Sequence, residues 1–344
     1  MAYTTINKST AHFNTKLYTG NGSTAHAITG VGFQPDWVWC KSRSITKDHL
    51  LFDALRGVTN AIKTNSTAAT DTNSEFLQAF GTDGFTVGNQ GKINTNSATY
   101  VSWNWKAANS AGSSNADGSI TSTVSANTTA GFSIVTYTGS GSETTVGHGL
   151  NAVPNMIITK RRSGANNWRV YHSSLASHDA YLSLNATDAS STSGSTWSSS
   201  APTNQVFRPG TDSAVNGSGE TYVAYCFAEK TGYSKFGTYT GNGNADGTFV
   251  FCGFKPTFLM VKRTDSTSNW TIVDSIREPT NDISKYMDVN LGIAEGNYTG
   301  WNFLSNGFKF VNTDAGINAN GGTFIYMAFG QSLVGQNNVP CTAR

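Results

Sequence analysis

The pattern Y-T-G-x-G occurs three times, as Tyr18-Thr19-Gly20-Asn21-Gly22, Tyr137-Thr138-Gly139-Ser140-Gly141 and Tyr239-Thr240-Gly241-Asn242-Gly243. A second landmark follows each copy in step. Pro35 follows Tyr18, Pro154 follows Tyr137 and Pro256 follows Tyr239 at one identical offset, and each Pro opens an apolar run that closes, again at one offset, on Lys41, Lys160 or Lys262. Two landmarks in one register, three times over, make the chain a tandem array of one module, and a repeat restricts the possible architectures more than any local propensity does. Farther along, the copies diverge. Trp168 and Trp270 stand at the same distance from their Pro, where the first copy has His49. Asp53-Ala54-Leu55-Arg56 and Asp274-Ser275-Ile276-Arg277 likewise share a register, and the second copy has His172 at that place. Each copy closes on an apolar segment, residues 99–105, 221–227 and 323–329.

These landmarks divide the chain into repeat one (14–108), repeat two (131–229) and repeat three (230–334), each about the size of one small domain. Residues 109–130, rich in Ser, Asn and Gly, read as a linker, whereas repeats two and three abut at Lys230-Thr231-Gly232, so direct packing is expected to fix their orientation. The ends, 1–13 and 335–344, fall outside the repeats and are expected to act as an N-terminal docking segment and a C-terminal tail.

Within a repeat the pattern is that of short strands. Asp36-Trp37-Val38-Trp39-Cys40-Lys41 follows a Pro that cannot donate to a ladder. Phe76–Phe80 and Phe85–Val87 flank Gly81-Thr82-Asp83-Gly84, a hairpin signal. Seven or eight such strands per unit, with no helical period, predict an all-β chain of three tandem β-sandwiches or jelly rolls. The closing aromatics (Trp103 or Trp105, Tyr225 or Phe227, Met327 or Phe329) are expected in the core of their own unit. Composition agrees: charged residues are 13% and aromatics 12%, with Gly, Asn and Asp available for corners.

A net charge of +2 without a Lys/Arg stripe argues against nucleic-acid binding. Lys160-Arg161-Arg162 is the one tight basic cluster and reads as a solvated strand end. Cys40, Cys226, Cys252 and Cys341 form no C-x-x-C and share no repeat position, so neither a zinc site nor a disulfide framework is expected, and Cys40 and Cys226 read as buried thiols. The N-terminus lacks the pattern of a secretory signal, and no apolar run reaches membrane-spanning length.

No catalytic, cofactor-binding or metal-binding residue is identified, and ligand-binding residues are left unassigned. The Gly-x-Gly turns fail as a dinucleotide motif because Ala25, Thr144 and Asp246 stand where the last glycine belongs; turns needing positive φ explain them. Asn242-Gly243-Asn244-Ala245-Asp246-Gly247 resembles the front of a calcium loop, but Gly253 occupies the place of its final Glu. Asn115-Ala116-Asp117-Gly118 has the same turn chemistry. His12, His26, His49, His148, His172 and His178 do not cluster with a candidate nucleophile, and there is no G-x-S-x-G elbow. The glutamates, Glu75, Glu143, Glu220, Glu229, Glu278 and Glu295, show no E-x-D-x-x-E strand pattern of a jelly-roll glucanase, although carboxylates on separate loops remain free to converge. Trp197 and Trp301 sit in polar surroundings that would suit sugar stacking, yet their repeated position favours the core.

Several segments also resemble a group of tailed-bacteriophage structural proteins: Tyr3–Ile6 with Thr15–Gly22, Gly32–Trp39, Val101–Ala107, Asp117–Ile120 through Gly131–Gly139, and the ending Val339-Pro340-Cys341-Thr342-Ala343-Arg344. The likeness covers nearly the whole chain. It implies concanavalin A-like, jelly-roll modules and a tail-fibre or other virion component, and it carries over no catalytic or binding residue. The expectation is therefore a non-enzymatic phage structural protein, tail-associated and used in host attachment, made in the host cytoplasm and located in the virion. Its expected partners are copies of itself (a homo-oligomer), other virion proteins and a host cell-surface glycan, with no cofactor, no nucleic acid and no membrane insertion. Capsid decoration, an adaptor role, a lectin-like module and a polysaccharide depolymerase are the alternatives.

Overall fold

The computed structural model describes residues 3–334, in which antiparallel strands form almost all the regular structure and the one α-helix is the single turn Ala315–Asn318. The three repeats share one topology. The strand carrying Y-T-G (Phe13–Thr19, Phe132–Thr138, Ser234–Thr240) pairs with the closing strand (Thr99–Trp105, Thr221–Phe227, Thr323–Gln331). The closing strand pairs on its other side with the post-proline strand (Trp37–Ser42, Met156–Arg161, Lys255–Arg263). Beyond that lies an inner strand (Leu50–Asp53, Arg169–His172, Trp270–Asp274). The register is the same each time. The second residue after each Pro faces the last aromatic of the closing strand, as Trp37 opposite Trp105, Met156 opposite Phe227 and Phe258 opposite Phe329.

The recurring Tyr and Gly explain this constancy. Tyr18, Tyr137 and Tyr239 face Tyr100, Tyr222 and Phe324 across the ladder and stack on them at 5.0, 5.2 and 4.8 Å. Each hydroxyl then reaches a backbone carbonyl far along the chain, at Ile93, Val215 or Ile317. A Cβ on Gly20, Gly139 or Gly241 would lie 2.2, 2.4 or 2.3 Å from a carbonyl oxygen, and Gly22, Gly141 and Gly243 hold φ of +67°, +74° and +67°. Both glycines of the motif are thus required, one by contact and one by dihedral.

A second layer completes each unit. In repeat one it is His26–Thr29, Gly84–Val87 and Leu77–Gly81, the last two forming the expected hairpin. In repeat three, Phe249–Phe251, Gly307–Phe310 and Gly296–Leu304 join through Ile283–Asp288 to the main sheet, giving eight continuous strands. Repeat two has only the short pairs Val146–Gly147 with Val206–Phe207 and Ala180–Tyr181 with Ser191–Thr192. Each pair of layers encloses its own small core, around Val38, Phe52 and Phe85 in repeat one, Tyr137, Phe207 and Trp197 in repeat two, and Phe308, Phe310 and Trp301 in repeat three.

The opposite faces of the three main sheets meet in a fourth core built by all repeats together. Trp37 stacks on Tyr225 with ring centroids 4.4 Å apart, Phe227 lies 6.1 Å from Phe329, and Trp105 lies 5.8 Å from Phe329. Here the expectation for the closing aromatics is corrected. Trp103, Trp105, Tyr225, Phe227, Met327 and Phe329 all belong to this common core and not to the cores within their own units. The physical reason is visible in the strands: Trp37–Ser42 is buried at all six positions, as a strand covered on both faces must be, so large residues do not mark which face is internal to a repeat.

Two further segments pack onto the repeats. Residues 109–130 contain the strands Ser113–Asn115 and Ser122–Asn127, which extend the sheet of repeat two beside Phe132–Thr138, because their alternating Ser, Thr and Val suit a half-buried edge. The segment before Phe13 packs onto repeat three. Ile6 is buried in the common core, the Ser9 amide donates to Gln331, and Phe13 stacks on Phe329 at 5.1 Å. The tail 335–344 lies outside the described residues, as does Cys341.

Candidate functional site

The landmark lysines are almost wholly buried, at 1%, 0% and 0% exposure for Lys41, Lys160 and Lys262. Each ammonium spans a boundary between repeats. Lys41 Nζ donates to the Gly292 carbonyl at 3.4 Å and to Ser42 O at 2.9 Å. Lys160 Nζ donates to Thr67 O and Asn166 O at 2.8 and 2.7 Å, and Lys262 Nζ donates to Thr187 O and Arg263 O at 3.1 and 2.8 Å. Repeat one therefore reaches repeat three, two reaches one, and three reaches two: the contacts close a ring. Burial brings the pKa of each of these lysines down to about 8. The backbone repeats the same cycle, with the Lys47, Asn166 and Ser268 amides donating to those same three carbonyls at Gly292, Thr67 and Thr187.

The Trp/His position is the next rung. Trp168 Nε1 donates to Lys63 O at 2.8 Å and Trp270 Nε1 to Ser183 O at 3.0 Å, while His49 Nε2 lies 3.1 Å from Asp288 O. His49 takes the tryptophan's place by the same contact, and burial holds its pKa well below the usual range. The Asp-x-x-Arg pairs form buried ion pairs that take a donor from another repeat: Asp53–Arg56 from the Tyr225 hydroxyl, Asp274–Arg277 from the Trp103 indole at 3.0 Å. At the third junction His172 Nε2 meets Tyr326 O at 3.2 Å. These titratable groups, which in another setting would suggest catalysis, join the repeats.

Sequence reasoning missed a clamp in every repeat. Asn94, Asn216 and Asn318 are fully buried, and their Oδ1 atoms accept from the x residue of Y-T-G-x-G, at Asn21, Ser140 and Asn242. Their Nδ2 groups donate to Gly88 O, Gly210 O and Asn312 O, fixing the loop before the closing strand. The signal was available, since Asn216 and Asn318 stand at the same offset from Tyr137 and Tyr239. Asn94 lies slightly nearer to Tyr18, and that unequal spacing hides the register.

The other flagged residues have structural surroundings. Trp197 and Trp301 are buried. Cys40, Cys226 and Cys252 are buried free thiols, and burial pushes Cys40 and Cys252 up to about 12. The calcium-like turn is self-bonded, with Asn242 Nδ2 on Asp246 O and Lys309 on the Asp246 carboxylate. Of the basic cluster, Lys160 is the buried bridge just described and Arg161 pairs with Glu220. Among the glutamates, Glu278 caps the Ser284 and Lys285 amides beside a cavity of about 440 Å³ lined by Lys255, Pro279, Asn281 and Phe303. Glu295 binds Arg43 and Arg277, a bridge from repeat three to repeat one.

Comparison with curated proteins and with solved structures gives no match. A family described as a domain of unknown function, DUF7483, matches residues 8–332, and its match runs through all three repeats and the ring of contacts that joins them. The chain belongs to that family.

Proposed function

We propose that the chain is a non-enzymatic structural protein of a tailed-phage virion, tail-associated and used in host attachment. The observation that carries this reading is the closed set of inter-repeat bonds: Lys41, Lys160 and Lys262, with His49, Trp168 and Trp270, spend their polar groups on neighbouring backbone. Such a body is stiff, and stiffness suits a component that presents loops to a partner. The likeness of its motifs to phage structural proteins, with their jelly-roll, concanavalin A-like modules, supports the same conclusion. In a particle, copies of the chain would sit among other virion proteins and multiply weak contacts with a host glycan or surface protein through effective concentration.

Mass spectrometry and immuno-electron microscopy of purified particles test this. The chain is expected on the tail in many copies, and its absence from particles overturns the reading. Particles lacking it are expected to adsorb slowly; normal adsorption moves the role to capsid decoration or an adaptor. Release of oligosaccharide from host polysaccharide, lost on replacing one Asp or Glu, would overturn the non-enzymatic assignment.

A further inference from the structure

We propose that the outer face of repeat three carries a binding site for a guanidinium group, of the kind an arginine side chain of a partner protein presents, between Tyr286, Tyr298, Asp288 and Asp314. The same place exists in the other repeats. The Trp/His contacts make Lys63, Ser183 and Asp288 equivalent, since their carbonyls receive Trp168, Trp270 and His49. Tyr181 and Tyr286 lie two residues before Ser183 and Asp288. Asp212 and Asp314 correspond too: each carboxylate accepts from the amide two residues on, and the residue after that gives its carbonyl to the landmark Tyr. Arg169 and Thr271 are the residues following Trp168 and Trp270.

In repeat two this place is filled from within. The Arg169 guanidinium lies over the Tyr181 ring, 4.5 Å from its centroid, donates to Ser183 Oγ at 2.8 Å and meets Asp212 at 3.5 Å. Repeat one also supplies its own cation, Lys63, paired with Asp71 at 3.0 Å. Repeat three keeps the ring (Tyr286) and the carboxylate (Asp314) and replaces Ser183 by a second carboxylate, Asp288. Where repeat two has Arg169 it has the short Thr271, and a pocket of about 140 Å³ opens there with neither Lys nor Arg among its lining residues. Arg263 reaches the rim at Ala315 O, but its guanidinium is paired with Asp265.

The walls are fixed in advance. The Tyr286 ring lies against Gly296, where a Cβ would come within 2.2 Å of it. Tyr298 packs edge-on to Tyr286 at 4.8 Å and rests on Trp301 at 5.3 Å. Asp288, 6% exposed, is aimed by Thr271 Oγ1 at 3.1 Å and Asn269 Nδ2 at 3.0 Å. Burial pushes Asp288 up to about 6 against those hydrogen bonds, and the charge of Asp314 adds in the same direction. A planar guanidinium satisfies both carboxylates and stacks on an aromatic face at once, a combination an ammonium matches less well.

The test is NMR titration of the full chain with an acetyl-Gly-Arg-Gly amide peptide and its neutral citrulline isostere. The arginine peptide is expected to shift resonances of Tyr286, Tyr298 and Thr271 saturably, and the citrulline peptide is not. Asp314→Asn, at the exposed rim, is expected to weaken binding about tenfold, the equivalent of one charge-assisted hydrogen bond. Thr271→Arg restores the arrangement of repeat two; it is expected to abolish peptide binding and to raise the melting temperature. Equal shifts with both peptides, or full binding by Asp314→Asn, would overturn the proposal. Glucosamine binding the site more tightly than the arginine peptide would overturn the choice of guanidinium in favour of a sugar amine.

Discussion

The Tyr225 hydroxyl donates to the Asp53 carboxylate at 2.7 Å, across the boundary between repeats two and one, and the Arg56 guanidinium donates to the Tyr225 oxygen at 3.2 Å. Trp103 takes the place of Tyr225 for Asp274 and Arg277. At the third junction the pair is replaced by His172 and Leu175, and the closing-strand residue at the place of Tyr225 is Met327, which has no hydrogen to give. Donor and ion pair are present together or absent together, as expected if a buried pair persists only when its remaining lone pairs are satisfied. Tyr225→Phe is therefore expected to cost about 1.5–3 kcal/mol, the net worth of a hydrogen bond to a charged group, since Arg56 still holds the Asp53 oxygen that loses its second donor. Met327→Leu is expected to cost under ~1.5 kcal/mol, as a volume-conserving change. Urea unfolding of both variants measures the difference; equal losses would dissociate the ion pair from its donor.

Truncation in the common core should be felt by the whole chain. Trp105→Ala is expected to cost about 3–5 kcal/mol, because Trp105 touches Phe13, Trp37, Phe227, Phe258 and Phe329 from all three repeats. The loss should lower a single unfolding transition. A calorimetric scan in which repeat one melts first, leaving the other two at the parental temperature, would contradict a shared core.

An excised repeat should not stand alone. Residues 109–229 would carry their internal core but expose Phe132, Ile134, Met156, Ile158, Trp168, Tyr225 and Phe227, which the other repeats cover in the intact chain. An apolar face of that extent drives association. Sedimentation of this fragment is expected to show an oligomer or aggregate; a folded, dispersed monomer would show that the repeats are independent.

The junction at His172 predicts a pH dependence. Its Nδ1 accepts from the Ser174 amide at 3.1 Å while Nε2 faces the Tyr326 carbonyl, so the ring is held neutral, and burial lowers its pKa from 6.5 to about 4. Between those values the unfolded chain binds a proton that the folded chain refuses, so this residue's contribution to stability falls as pH falls. The slope is up to about 1.4 kcal/mol per pH unit, on the order of 3 kcal/mol over the window. Asp36 and Asp288, raised to about 6, act in the opposite sense, so the measurement is the stability gap between the parent and His172→Gln. The gap should shift in favour of His172→Gln between pH 6.5 and 4, and a constant gap would count against it.

The spacing of Tyr, Pro and Lys determined the repeat, its strands and their common register by itself, because a β-ladder with fixed pairing preserves sequence spacing at every landmark. The turn glycines were legible for the same reason: a positive φ at Gly22 and a carbonyl 2.2 Å from a Cβ on Gly20 are local demands on residue type. What the sequence could not decide was which way each buried strand faces. Trp37, Val38, Trp39 and Cys40 are apolar without alternation, so nothing local distinguishes the core inside a repeat from the core between repeats. Nor could it assign the landmark lysines, since the carbonyls that receive Lys41, Lys160 and Lys262 come from other repeats at unrelated sequence distances. Those partners exist only once three sheets have closed around one core, and tertiary packing alone makes a buried lysine a bridge and leaves a pocket beside Thr271 where its counterpart is an arginine.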